Sequence, residues 1–253
     1  MKRKVASDFH PEVLKLFDGF VHGWLSRRDF LDRAGKYAVG GFTASAMLAS
    51  LQPNFAHAQQ VPKDDARLKT EYLTYPSPQG SGTMRGYFAR PANATGKLPG
   101  VVVIHENRGL NPYIEDVARR LALANFLAFA PDALAPVGGY PGDEVKAAQM
   151  FSELDSAKRS EDLLAAYPAL KSRPECSGKV GAIGFCFGGT TVNMFAVRLP
   201  DLAAAVPYYG GAPSAADVAK IKAPLMIHYA GLDDRTNAGW PAFETALTAN
   251  GIR

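Results

Sequence analysis

The sequence predicts an α/β domain: a mostly parallel central sheet that opens with an antiparallel hairpin and carries helices on both faces. Three observations predict it. Short continuous apolar runs, "GVVVIH" (100–105), "FLAFAPD" (126–132) and "KVGAIGF" (179–185), read as strands buried on both sides. Segments with helical periodicity separate these runs, the signature of βαβ units. Before the first run, two alternating stretches flank the turn residues "SPQGSG".

The elements follow in order. "KTEYLTY" (69–75) alternates like an edge strand, and "GTMRGYFARP" (82–91) is its hairpin neighbour. "NPYIEDVARRLALAN" (111–125) is a helix with Ile114, Val117 and Leu121 on one face, started by Asn111 as cap and Pro112 in the first turn. "DEVKAAQMFSELD" (143–155) and "AKRSEDLLAAYPAL" (157–170) are two more helices. "GGTTVNMFAVRL" (188–199) follows the third buried strand as a helix. "LAAAVPYYG" (202–210) and "APLMIHYAG" (223–231) are strands, and "WPAFETALTANGI" (240–252) is a final helix.

Bulk properties set the limits. The chain has 253 residues, 47% hydrophobic and 21% charged, with a net charge of +4. That is ordinary globular composition, and one α/β domain of this size need not split. Much of the positive charge lies in the first 36 residues, where Lys2, Arg3, Lys4, Lys15, Arg27, Arg28, Arg33 and Lys36 outnumber the acidic residues. A nucleic-acid surface is a poor reading of the near-neutral remainder. The two cysteines, Cys176 and Cys186, form no disulfide framework, and no cysteine–histidine spacing suits zinc. No metal and no organic cofactor is expected.

Residues 1–58 read as an export region. "SRRDFL" (26–31) carries paired arginines, a small-residue-rich apolar stretch runs from Ala38 to Leu51, and Ala56 and Ala58 form an A-x-A pattern. Basic segment, apolar segment and small-residue cleavage pattern together make a secretory signal, here of twin-arginine type. Asp32 departs from the usual basic residue. On this reading the mature chain, 59–253, is periplasmic or secreted with no membrane anchor; otherwise the protein is cytoplasmic.

The chemistry-bearing motif is "GFCFG" (184–188), between a strand and a helix. G-x-C-x-G in that setting is a nucleophile elbow of the α/β-hydrolase kind, with cysteine in place of serine. The turn is so sharp that side chains at Gly184 and Gly188 would clash. The helix N-terminus is expected to lower the thiol pKa and favour the thiolate. Cys176, in "RPECSGK", enters at the other end of the strand. Residues 179–184 span roughly 20 Å, far more than the ~6 Å Cα separation of a disulfide.

The stretches "IHENRGLNPYIEDVARRLA", "FLAFAPDAL", "KVGAIGFCFGG" and "HYAGLDD" make residues 68–253 resemble the dienelactone hydrolase family. The resemblance implies an α/β-hydrolase fold acting on a small-molecule lactone or carboxylic ester. It implies Cys186 as nucleophile, Asp233 as triad acid with Asp234 as the register alternative, and Glu106 as a carboxylate that helps switch the thiol to thiolate. It implies an oxyanion hole made by the backbone N–H groups of Phe187 and Asn107. It also places the triad histidine beyond the last helix, on a strand and helix expected to be missing from this chain. His105 and His228 read as core strand residues and are weak stand-ins for that base. A catalytically inactive remnant is therefore the alternative expectation.

Overall fold

The computed structural model describes residues 4–252; Lys2 and Arg3 of the basic N-terminus lie outside them. Two compact units emerge, Met1–Ala58 and Gln59–Arg253.

The first unit is helical. Helices α1 (Pro11–Val21), α2 (Arg27–Ala34) and α3 (Ala44–Leu51) precede a last turn, α4 (Phe55–Ala58). Each of the first three starts at a side-chain cap: His10, Ser26 and Thr43. At α2 the cap is reciprocal, because Ser26 accepts from the Asp29 N–H and Asp29 accepts from the Ser26 N–H. Phe9, Val13, Phe30, Ala34, Met47 and Leu48 form its core.

The second unit is built on a six-stranded sheet in the order β1-β2-β4-β3-β5-β6. The hairpin β1 (Leu68–Ser77) and β2 (Gly82–Pro91) is antiparallel, and β2 continues antiparallel to β4 (Leu127–Pro131). From β4 onward, β3 (Leu98–Ile104), β5 (Cys176–Phe185) and β6 (Ala205–Tyr208) are parallel. This is the expected α/β-hydrolase-like architecture. Helix α5 (Pro112–Leu123), capped by Asn111 as expected, covers one face through Ile114, Val117, Ala118 and Ala122. The other face carries α6 (Glu144–Ser152), α7 (Ser156–Lys171) and α8 (Phe187–Arg198). The short α9 (Ala215–Val218) and α10 (Asp234–Asn237) lead to α11 (Trp240–Ala249), whose Phe243 and Leu247 join that second core.

The stretch 223–231, expected as a full strand, is only lightly engaged. It meets β6 through two parallel bridges, Ala205–Leu225 and Tyr208–His228. Proline at 224 cannot donate, and its carbonyl accepts from Ala205 while Met226 and His228 donate back to β6. Cys176 and Cys186 are both free thiols, at opposite ends of β5.

One buried ionic group shapes the start of this unit. Asp116 on α5 accepts the N–H groups of Gln60 and Val61, and Arg119 donates to the Val61 carbonyl. Both side chains are about 1% exposed and lie 3.5 Å apart, so each charge is paired inside the core.

Candidate active site

Parallel sheets gather their chemistry at the carboxyl ends of the strands. Here β3 and β5 are neighbours, with Ile104 opposite Gly184, so the residues after each strand arrive side by side. Cys186 stands between β5 and α8 with φ +55° and ψ −112°, a conformation that an L-residue occupies only under constraint. The constraint is steric. A Cβ on Gly184 would strike the Gly188 backbone, and one on Gly188 would strike the carbonyls of Ile104 and His105. Only glycines at both places let the turn close against the end of β3. The closure sets Cys186 within the field of the Glu106 carboxylate.

The thiol is half-buried, and its electrostatics correct one expectation. Burial pushes its pKa up, and the nearby Glu106 carboxylate pushes it further. The Phe187 N–H, Arg235 and Arg108 act the other way without reversing the sign. The helix N-terminus therefore does not yield a low-pKa thiolate: desolvation and a like charge outweigh it.

Glu106 is held by a residue that the sequence reading did not single out. The Tyr209 hydroxyl donates to Glu106 Oε1 at 3.2 Å. Tyr209 follows β6 with φ +38°, and its N–H donates to the His228 carbonyl at 2.7 Å. Burial first, and then the Glu106 carboxylate, raise its phenol pKa far above the ordinary value. A non-glycine residue with positive φ just past a strand end is a structural signal that "PYYG" does not carry. Arg108 is also committed: its Nε lies 3.2 Å from Glu144, which accepts from the Tyr140 hydroxyl as well. Burial leads in raising the Glu144 pKa, against those two partners.

The two candidate acids separate. Asp233 is half-buried and caps α10, its Oδ1 accepting from the Thr236 N–H at 3.0 Å. Asp234 is exposed in the first helical turn. Arg235, on the same turn, contributes to the potential at Cys186. The structure thus brings Cys186 and Phe187 near Glu106, with Asn107 the next residue along the chain. Asp233 lies on a turn whose electrostatic reach includes the thiol, in a capping role.

His105 and His228 each have partners other than the thiol. His105 is fully buried, with Nδ1 at 2.5 Å from the Glu106 carbonyl and Nε2 accepting from the Ala133 N–H at 3.0 Å. His228 stacks on Tyr208 with ring centroids 4.2 Å apart. Among the described residues, no group of three or more His, Cys, Asp or Glu is arranged to hold a metal ion. A surface cavity of about 270 Å³ is lined by Leu225, Ile227, Trp240, Leu247 and Ile252 among others, and none of the site residues borders it.

A dienelactone hydrolase family model matches residues 84–253. The chain belongs to the dienelactone hydrolase family. A second model, YqhI-like, matches residues 1–38. The chain is 55% identical over 113 residues to a candidate hydrolase fragment, YghX, of Escherichia coli (strain K12), covering 45% of this chain and 97% of that protein. It is 32% identical over 171 residues to a candidate carboxymethylenebutenolidase of Escherichia coli O157:H7, covering 62% of this chain and 63% of that relative's length. The chain thus spans about three fifths of that longer relative. Among solved structures, a candidate dienelactone hydrolase from Klebsiella pneumoniae subsp. pneumoniae MGH 78578 superposes with a TM-score of 0.59 at 27% identity, over 73% of this chain and 82% of that one. The dienelactone hydrolase-like promiscuous phosphotriesterase P91 from metagenomic libraries gives 0.62 at 29% identity, over 74% and 79%.

Proposed function

We propose that this dienelactone hydrolase family member cleaves a lactone or carboxylic ester of a small molecule through Cys186. The observation that carries the reading is the elbow: a thiol forced to φ +55° at a carboxyl strand end, beside a carboxylate and at the first turn of a helix. In the proposed reaction Glu106 takes the thiol proton when substrate arrives, with Tyr209 keeping Oε1 in place. The thiolate attacks the carbonyl carbon, and the carbonyl electron pair moves to oxygen. The N–H groups of Phe187 and Asn107 receive that oxyanion. Collapse expels the alkoxide, which takes up a proton and leaves a thioester on Cys186. Water then releases the acid and restores the thiol. Asp233, with Asp234 as the alternative, is assigned to orient a base.

One observation favours the second reading, a catalytically inactive remnant that does not turn over. Both ring nitrogens of His105 are engaged, so it is no base for water. The test separates the two. Mixed with p-nitrophenyl acetate, the protein is expected to release a burst of nitrophenol and gain an acetyl group at Cys186 by mass spectrometry. Sustained turnover supports the hydrolase, a burst without turnover supports the remnant, and the absence of both turnover and Cys186 acetylation sinks the reading of Cys186 as nucleophile and leaves the remnant alone.

We also propose that residues 1–58 serve as a twin-arginine export address. The exposed Arg27–Arg28 pair at the start of α2 and the A-x-A pattern ending at Ala58 support it. N-terminal sequencing of periplasmic protein is expected to begin at Gln59; a chain retained in the cytoplasm with residues 1–58 intact counts against it.

A further inference from the structure

We infer that His105 is a positioning residue that fixes both halves of the oxyanion site with one imidazole. The inference rests on the reading of Cys186 as nucleophile.

The geometry starts from tautomers. Nε2 accepts the Ala133 N–H at 3.0 Å, so the ring proton sits on Nδ1, which donates to the Glu106 carbonyl at 2.5 Å. That carbonyl belongs to the same peptide unit as the Asn107 N–H. In a planar trans peptide the C=O and N–H point in opposite directions, and the described residues contain no cis bond. Holding the Glu106 oxygen therefore aims the Asn107 N–H. The bond also polarises the peptide and makes that N–H a better donor.

The same ring touches the other half. It lies at 27° to the Phe187 ring with centroids 6.4 Å apart, and the Phe151 ring stands edge-on to both. Arg159 lies over Phe151 and Phe187. The backbone N–H of Phe187 is the donor beside the nucleophile. The His105 carbonyl in turn fills the space that a Gly188 side chain would need. On its far side, Ala133 follows Asp132, whose Oδ1 accepts the N–H groups of Leu110 and Leu134. The imidazole thus ties the turn after β3 to the turn after β4 and to the first residue of α8. Burial keeps it neutral, as the tautomer requires, although the Asp132 charge opposes this.

Two variants dissect the role. In His105→Asn the side-chain amide nitrogen takes the place of Nδ1 and keeps a donor for Glu106. In His105→Gln the amide oxygen takes the place of Nε2 and keeps an acceptor for Ala133, while the Nδ1 donor is lost. The probe is an aryl trifluoromethyl ketone: the Cys186 sulfur adds to its carbonyl carbon, the thiol proton leaves to solvent, and the carbonyl oxygen becomes an oxyanion. His105→Gln is expected to weaken this adduct about tenfold or more, while the rate of Cys186 alkylation by iodoacetamide, which forms no oxyanion, stays unchanged. His105→Asn is expected to bind the ketone nearly as the parent does, although it melts lower. Equal losses in both variants, in step with melting temperature, would mean a purely structural histidine and overturn the proposal. So would undiminished ketone binding by His105→Gln. Absence of any adduct in the parent protein would remove the nucleophile reading and the proposal with it; a parent adduct with an unaffected glutamine variant removes only the proposal. Where neither variant folds, the parent decides by NMR. The Asn107 amide proton and the His105 Nδ1 proton must shift together when the ketone binds, and an unmoved Nδ1 proton overturns the proposal.

Discussion

Two corners of the second unit sit at carboxyl ends of the sheet and are held in different ways. The elbow corner, residues 184–189, is fixed by backbone pressed on backbone: Gly184 on Gly188, Gly188 on the end of β3, and Gly189 on the Tyr208 carbonyl and Gly210. The acid corner, residues 230–237, is fixed by local caps, with Asp233 on the Thr236 N–H and Asn237 on the Ala230 carbonyl. The preceding stretch joins β6 through only two bridges. A corner closed by excluded volume has one geometry or none. A corner closed by caps can lose one bond and persist.

The largest effect tests that contrast directly. Gly188→Ala is expected to cost about 2–4 kcal/mol of stability and to abolish Cys186 acetylation, because the new methyl meets two carbonyls with no room to relax. Chemical denaturation measures the first and mass spectrometry the second. If the variant is as stable as the parent, the elbow is looser than its contacts imply.

Next comes the difference between the two thiols at the ends of β5. Cys186 is half-buried and Cys176 is buried. In native protein, iodoacetamide is expected to label Cys186 while Cys176 reacts only on unfolding, as peptide mapping reports. Cys186→Ala is expected to leave native protein unlabelled; labelling of Cys176 at a similar rate breaks the contrast.

The third prediction concerns pH. Because burial and Glu106 raise the Cys186 pKa, its alkylation is expected to climb at pH values above those of an ordinary thiol. Glu106→Gln removes the like charge and is expected to move the midpoint down. The sign for stability runs the same way. The folded state holds the thiol proton more tightly than the unfolded chain, so this contribution is complete below the unfolded thiol pKa and fades as pH rises through the folded value. A midpoint unmoved by the substitution would place Glu106 outside the thiol's field.

The smallest effect belongs to the acid corner. Asp233→Ala removes a cap and is expected to cost about 1 kcal/mol, measured by denaturation, with Asp233→Asn recovering most of it. If Asp233 also serves catalysis, the asparagine variant restores stability but not turnover; Asp234→Ala is expected to leave stability nearly unchanged, since that side chain is exposed.

The same contrast explains what was legible in the sequence. Hairpin, βαβ alternation, the Asn111 cap and the elbow were readable because each rests on periodicity, capping or glycine sterics within a few residues. The meeting of Cys186 with Glu106 was implied by the family resemblance, and the pairing of β3 with β5 supplies its physical basis. The Tyr209 bond to Glu106 was not readable, because it joins residues 103 apart through a turn with positive φ. The direction of the Cys186 pKa was misjudged for a related reason. A helix N-terminus is visible in a sequence, whereas the burial and the opposing carboxylate that outweigh it exist only after folding.

The buried Asp116–Arg119 pair sets how far a protease could trim the leading end of the second unit. Its carboxylate and guanidinium already occupy the N–H groups of Gln60 and Val61 and the Val61 carbonyl. A protease must draw an extended stretch of backbone into its own cleft, and those are the groups it would need to grasp. An aminopeptidase working inward from the leading residues is expected to stall at Gln60, which N-terminal sequencing after digestion would read as a uniform rather than a ragged first residue.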